Sequence, residues 1–313
     1  MSNLDKLQQY KDLIDKHKKH LLSLPNVHGV SIGKEMVNGV ETGNIAVIAH
    51  VYKKINKSRL GDIDLFENVI SGIDPTIVSD VQEKELPHLE YLSVPKEQVN
   101  VVEDNAKYRP LLGGCRIANE SDTHYHFGTG GFIALSTSSV DQKCIMTNYH
   151  VIRKSMDNKV YQPSVTVDNY IGTVGNTAWS AQVDGAQIKL NSGINTENKI
   201  IEIGAVAGTQ APALNDAVQK YGATTRLTAG VITNINYAGT VEDREFEKQI
   251  IISKKTSSDP RLSDDGDSGS AWVITDNNKI TALHWGGNSS GTEAYASPIA
   301  AVQIELGVTV AVD

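Results

Sequence analysis

The chain has 313 residues and a formal net charge of −8. This length allows a compact main body with its own core and an additional unit. The acidic balance, with no run of Lys or Arg longer than a pair, argues against a phosphate-binding surface, and we expect no nucleic-acid partner.

The chain has two cysteines, Cys115 and Cys144, which are too few for a disulfide-stapled secreted scaffold. We expect both to be reduced packing residues. The N-terminal segment is charged where a signal peptide would be apolar, and no apolar run approaches the length of a membrane span. The sequence therefore predicts a cytoplasmic protein without a membrane partner.

The N-terminal segment carries apolar residues three or four positions apart from Leu4 to Leu21, which predicts an amphipathic helix. Pro25 ends that pattern. Two β-rich runs follow, Val27–Ile32 and Ile45–Val51, with turn residues between them. A helix followed by short strands predicts a small α+β unit.

The polar stretch Glu103–Lys107 marks a boundary between two regions with different sequence patterns. We expect an α+β domain over residues 1–105, with a regulatory or recognition role that could include an oligomer contact or a protein partner. Residues 112–313 are rich in short β-runs and glycine turns, which favours barrels or a sandwich. The tail from Pro298 to Leu306 predicts a final helix.

The segment Gly266-Asp267-Ser268-Gly269-Ser270 is the most informative part of the chain. A serine hydroxyl needs a base to remove its proton and preorganised donors to stabilise the developing oxyanion. Because Gly266 has no Cβ, its N–H can point at the same place as the N–H of Ser268, which is the geometry of an oxyanion hole. Such residues also form ordinary β-turns, so this motif alone leaves both interpretations open.

Two further segments carry the partners that a serine nucleophile needs. His150 follows the apolar run that begins at Ile145, at the end of a predicted strand, where an imidazole can act as general base. Asp184 opens a predicted strand and could accept the Nδ1 proton of that ring. The chain order His150, Asp184, Ser268 is the order found in chymotrypsin.

Together these three segments resemble the trypsin-like serine peptidase family, in its divergent bacterial and plant-like members. The resemblance covers roughly the last two hundred residues of the chain. It implies two six-stranded antiparallel β-barrels, at about 112–195 and 200–300, with the active site between them. It also implies a serine endopeptidase acting on a protein or peptide substrate, without a cofactor.

The resemblance assigns a substrate-binding role to residues of two further segments. His284, Trp285 and Gly286 are similar to the strand that pairs with an extended substrate, although Trp285 could equally be a core aromatic. Leu262 stands where trypsin has the acidic residue at its pocket base, so a preference for Arg or Lys is not implied. Glu293 could restore such a preference, but an exposed strand carboxylate is the simpler interpretation.

Some features leave alternatives open. Leu111–Gly114 is similar to the start of an activated trypsin, but the preceding Pro110 is a poor cleavage site, so the partner of Asp267 is unassigned. His124 and His126 alternate on one predicted strand face without a third ligand, and we expect no metal. The alternative function is a catalytically silent or conditionally active trypsin-like scaffold that binds proteins.

Overall fold

The structure is a computed structural model. It describes residues 3–55, 65–98, 106–139 and 141–313. Residues 103–105 of the predicted boundary stretch, and the predicted domain end at 105, lie outside the described residues.

The described residues contain four α-helices and 22 strands. The helices are α1 Asn3–Leu22, α2 Phe66–Ile73, α3 Tyr149–Ile152 and α4 Ile299–Leu306. The strands are β1 Val27–Val37, β2 Val40–Val51, β3 Ser79–Glu83, β4 Pro87–Leu89, β5 Leu92–Pro95, β6 Leu111–Gly113, β7 Cys115–Glu120, β8 His124–Gly130, β9 Ile133–Ser136, β10 Lys143–Thr147, β11 Lys159–Tyr161, β12 Tyr170–Trp179, β13 Asp184–Leu190, β14 Thr196–Ile200, β15 Gly204–Ala205, β16 Ala217–Gly222, β17 Arg226–Val241, β18 Arg244–Ser253, β19 Ala271–Ile274, β20 Ile280–Asn288, β21 Glu293–Pro298 and β22 Val308–Val310.

Strands β7 to β13 form the first barrel. Strand β7 pairs with β8, β9 pairs with β10, and the order continues through β13, β12 and β11 back to β7. Counting β8 and β9 as two parts of one stretch, this ring has six members, as the family resemblance implies. Its interior is filled by β-branched side chains such as Ile117, Ile145 and Ile188, which suit a pleated surface.

Strands β16 to β21 form the second barrel. They follow the order β16, β19, β20, β21, β18 and β17, and the pairing of β16 with β17 closes the ring. All of these pairings are antiparallel. The mainly β, two-barrel fold predicted from the sequence is therefore confirmed, and so is the C-terminal helix, which is α4.

The N-terminal residues extend the second barrel. Strand β1 pairs with β17, and β2 and β3 continue that sheet outward. The predicted helix is confirmed as α1, whose buried Tyr10, Ile14 and Leu21 share one hydrophobic cluster with Ile232 and Trp272 of the second barrel. This shared core attaches the N-terminal unit firmly to the barrel that carries Ser268.

The chain between the N-terminal sheet and the first barrel runs along strand β20 of the second barrel. Strand β4 pairs antiparallel with β20, and β5 pairs antiparallel with β8. The residues between β4 and β5 therefore pass from one barrel to the other. Among the described residues, no helix is both long enough and apolar enough to cross a lipid bilayer.

Candidate active site

The His150 ring is held by the Asp184 carboxylate. Strand β10 ends just before His150, which lies on α3, and Asp184 is the first residue of β13. The Nδ1 atom of His150 lies 2.6 Å from Oδ2 of Asp184, and the backbone N–H of His150 donates to Oδ1 at 3.1 Å. Because an ionised carboxylate only accepts, Nδ1 carries the proton and Nε2 of the neutral ring can accept one.

Asp184 is itself supported by a buried cation. Arg244 Nη1 lies 3.3 Å from Oδ2 of Asp184, and the guanidinium is packed against the rings of Trp179 and Phe246 at 3.6 Å and 4.1 Å from their centroids. Burial acts to raise the pKa of Asp184, but His150 and Arg244 outweigh it and the pKa is lowered. The carboxylate therefore stays ionised, as its predicted orienting role requires.

Sequence reasoning missed Arg244. It opens β18 among charged neighbours, in a stretch that has the pattern of an exposed hairpin, so no local signal separates it from a surface cation. Asn148 is a second supporting residue that was not singled out, and its Nδ2 donates to the carbonyl of Asp184 at 2.6 Å.

Ser268 lies in the loop before β19, against the first barrel. Its carbonyl accepts a 2.8 Å hydrogen bond from the N–H of Thr129 in β8. Gly266 and Gly269 on either side have φ values of +100° and +96°, which favour glycine. Ser268 is completely buried, and its backbone N–H donates to the carbonyl of Glu90 at 3.3 Å.

The hydroxyl of Ser268 does not bond to His150 in this structure. It donates to the backbone carbonyl of Trp285 at 2.9 Å. The Nε2 atom of His150 is buried and has no hydrogen-bond partner within the described part of the chain. The structure thus joins His150 to Asp184, and leaves the Ser268 hydroxyl turned toward β20.

The partner of Asp267 is Lys220. The Nζ atom of Lys220, on β16, lies 3.0 Å from Oδ2 of Asp267, and both side chains are completely buried. The backbone N–H groups of Thr224 and Thr225 donate to Oδ1 at 2.9 and 3.1 Å. Burial acts to raise the pKa of Asp267, but Lys220 and the hydrogen bond from Thr225 lower it overall.

This ion pair fixes the loop around the predicted nucleophile without a freed chain terminus. Sequence reasoning missed Lys220 as well. The available signal was a lysine next to apolar neighbours in a β-rich stretch, because an unpaired buried ammonium is costly.

The predicted substrate strand is β20, and the chain itself occupies it. Gly286 is opposite Leu89 and Gly287 is opposite His88 in the antiparallel pairing with β4. The Trp285 side chain lies in the core, stacked on Phe246 with ring centroids 4.1 Å apart. Only its backbone carbonyl faces the cleft, where it accepts from Ser268.

The two predicted pocket residues lie elsewhere. The Leu262 side chain is completely buried in the core that the second barrel shares with the N-terminal unit. The Glu293 carboxylate is ion-paired with Lys84, which lies between β3 and β4. It is nearly buried, unlike the exposed strand carboxylate weighed from the sequence.

A second carboxylate, not predicted from the sequence, fills the cleft next to Ser268. Glu90 is completely buried. Its Oε2 lies 2.8 Å from Nε2 of His284, and its Oε1 accepts from the Ser263 hydroxyl at 2.9 Å. Nothing in the sequence distinguishes Glu90 from its neighbours Glu83 and Glu85, because its partners lie far along the chain.

Other titratable groups do not assemble into a metal site. Among the residues that the structure describes, no group of three or more His, Cys, Asp or Glu side chains has metal-binding proximity. His126 is partnered by the Ser121 hydroxyl at 3.1 Å, and its ring is stacked on His124. Cys115 and Cys144 are both buried, as predicted, and neither forms a disulfide.

Comparisons with known proteins identify the fold. No protein-family model matches the chain, and no curated protein sequence matches it. Three solved structures cover 64% of this chain at a TM-score of 0.51. Thermobifida fusca protease A is 18% identical over 98% of its own length, and Nocardiopsis protease is 16% identical over 97%. The third, described as a glutamic acid specific serine protease that uses a histidine triad in substrate binding, is 17% identical over 100% of its length.

The chain therefore has the fold of the chymotrypsin-like serine proteases, at low sequence identity. The trypsin-like resemblance inferred from three short motifs is confirmed at the level of fold.

Proposed function

We propose that this protein is a serine endopeptidase that hydrolyses peptide bonds through an acyl-enzyme intermediate. The observation that carries the proposal is the buried hydrogen bond between His150 Nδ1 and Asp184, which leaves Nε2 as the free acceptor of the ring. In this function His150 is the general base, Asp184 orients it and Ser268 is the nucleophile.

The backbone around Ser268 supports this assignment. Its N–H already donates to a carbonyl oxygen, that of Glu90, as an oxyanion donor must. Gly266 has the positive φ that lets a second N–H contribute, and the buried pair of Asp267 with Lys220 keeps the loop in place. Catalysis requires the Ser268 hydroxyl to leave the Trp285 carbonyl and donate to Nε2 of His150.

A conditionally active form is the second candidate, and a specific observation favours it. The Ser268 hydroxyl is bonded to Trp285, and the side chains of His150 and Ser268 are closed off from solvent, with residue exposures of 2% and 0%. No external substrate can reach Ser268 in this conformation. The resting protein is then a latent endopeptidase.

Covalent labelling by a fluorophosphonate probe tests the endopeptidase proposal. We expect wild-type protein to be labelled slowly and Ser268→Ala not at all. Ser270→Ala is the matched control, because the Ser270 hydroxyl is buried without a hydrogen-bond partner within the described residues and has no assigned role. Labelling that persists in Ser268→Ala would contradict the proposal. So would a lack of labelling in both the wild type and Glu90→Lys, a variant that should open the cleft.

A further inference from the structure

We propose that the active-site cleft selects glutamate and that the chain's own Glu90 is its bound substrate residue, so that the protein cleaves itself between Glu90 and Tyr91. This inference rests on the endopeptidase function proposed above. Three features of the structure carry it: the backbone pairing, the position of one carbonyl and the chemistry of the pocket.

The backbone of residues 87–90 binds as an added strand. Strand β4 pairs antiparallel with β20, and the N–H of Glu90 donates to the carbonyl of Trp285 at 3.3 Å. A Cβ at Gly286 would clash with the carbonyl of His88, so the glycine permits this close approach. Strand addition is a general way for a protein to hold an extended peptide.

The carbonyl of Glu90 lies where a scissile carbonyl belongs. Its oxygen accepts from the N–H of Ser268 at 3.3 Å, which is one of the two predicted oxyanion donors. The next residue, Tyr91, packs edge-on against the His150 ring with centroids 5.6 Å apart. The peptide bond from Glu90 to Tyr91 therefore passes between the predicted nucleophile and the predicted base.

The pocket around the Glu90 side chain offers donors to a carboxylate. Trp272 Nε1 donates to Nδ1 of His284 at 3.3 Å, so Nδ1 is an acceptor and the proton of the ring is on Nε2, which faces Glu90. The Ser263 hydroxyl is the second donor. A Cβ at Gly287 would clash with Oε1 of Glu90, so this glycine leaves the room that the carboxylate fills.

This pocket discriminates by chemistry and by length. A Lys or Arg side chain would set its donors against the donors of the pocket, and its buried charge would find no acceptor there. A Gln side chain keeps the length but replaces one acceptor oxygen by an NH₂ group. An Asp side chain is one methylene too short to reach both donors from the same backbone position. Glutamate is the side chain that the pocket fits.

The self-cleavage reaction balances without a co-reactant other than water. The Ser268 Oγ forms an ester with the carbonyl carbon of Glu90, the bond to the nitrogen of Tyr91 breaks, and His150 passes the serine proton to that nitrogen. Water then hydrolyses the ester and leaves a free α-carboxylate on Glu90. Because β1 remains paired with β17, we expect both fragments to stay in one particle.

The test uses the purified full-length chain, with intact mass and N-terminal sequencing followed over time. We expect wild type to yield a fragment that begins at Tyr91, and Ser268→Ala to stay intact. Glu90→Gln should slow this cleavage by about 10- to 150-fold, the effect of losing one hydrogen bond to a charged group. Glu97→Gln is the matched control, since Glu97 is exposed, and it should cleave like wild type.

Glu90→Lys separates this inference from the endopeptidase proposal. We expect this variant not to be cleaved after residue 90. We also expect its Ser268 to react with fluorophosphonate at least about tenfold faster than in the wild type, because the segment that holds residue 90 leaves the cleft. If Ser268 is labelled in these proteins but wild type is never cut after Glu90, the inference is wrong and the endopeptidase proposal stands. Cleavage of Glu90→Gln at the wild-type rate would also overturn the glutamate pocket. If neither protein is labelled, the endopeptidase proposal itself fails.

Discussion

The carboxylate of Glu90 and the imidazole of His284 lie 2.8 Å apart, completely buried, although 194 positions separate them in the chain. A buried carboxylate needs donors, and here they come from Ser263 and His284 of the second barrel. This contact ties the N-terminal unit to the cleft beside Ser268. It makes that unit part of the site.

Removing either donor should weaken the hold of the cleft on Glu90. We expect Ser263→Ala and His284→Leu each to slow self-cleavage by about 10- to 150-fold, because each removes a hydrogen bond to a charged group. The measurement is the rate at which the Tyr91 N-terminus appears. His124→Leu serves as the control, since that ring bonds to the adjacent Thr123 away from the cleft. Equal rates in the wild type and all three variants would contradict a role for these donors.

Filling the pocket from its floor should have the same effect without removing a donor. A methyl group at Gly287 would collide with the Glu90 carboxylate and lie 2.8 Å from the Ser263 hydroxyl. We therefore expect Gly287→Ala to displace the segment, slow self-cleavage and speed fluorophosphonate labelling of Ser268. In Gly72→Ala, the control, the added methyl meets nothing within 4 Å. Unchanged cleavage and labelling in Gly287→Ala would show that this space is not needed.

Breaking the ion pair between Lys220 and Asp267 should strongly destabilise the folded protein. Lys220→Ala would leave the Asp267 carboxylate buried without its cation, and removal of one partner of a buried pair costs about 3–5 kcal/mol. We expect that decrease in the free energy of unfolding, measured by urea denaturation. Lys199→Ala, which removes an exposed pair with Glu197, should leave the stability unchanged within error. A Lys220→Ala protein as stable as this control would mean that the Asp267 loop is held by other contacts.

The parts of the fold that follow from local pattern were predictable. The periodicity from Leu4 to Leu21 predicts α1, and the strand that ends before His150 and the strand that Asp184 opens are both present. These features depend on neighbouring residues, so a single sequence contains them. The Gly-Asp-Ser-Gly motif predicts the loop geometry for the same reason, since its glycines adopt positive φ.

The contacts that close the site were not predictable in this way. Lys220 with Asp267, Arg244 with Asp184 and Glu90 with His284 each join segments that are remote in sequence. Each pair depends on strand order and register, which single-sequence patterns do not specify. Leu262 shows the converse, because its place in the motif suggested the pocket while its side chain packs into the core.

Acid should loosen the attachment of the N-terminal unit through His50. This residue lies on β2, completely buried, with Nε2 2.7 Å from the Ser31 hydroxyl. Burial, and to a lesser degree the charges of Lys84 and His28, hold its pKa well below the ordinary value of 6.5. Below pH 6.5 the unfolded chain therefore binds a proton that the folded chain does not, and stability is lost as the pH falls.

Below pH 6.5, His50 should lower the free energy of unfolding by at most about 1.4 kcal/mol for each pH unit. Above pH 6.5 this contribution is absent. Urea unfolding at a series of pH values on either side of 6.5 measures this slope. His50→Gln should flatten the slope, because the amide does not titrate, whereas His20→Gln, which changes an exposed residue of α1, should leave it unchanged. The burial of His28 lowers its pKa and adds to the slope in the same direction, so some dependence should persist in His50→Gln. A slope identical in all three proteins would show that His50 gains its proton without unfolding.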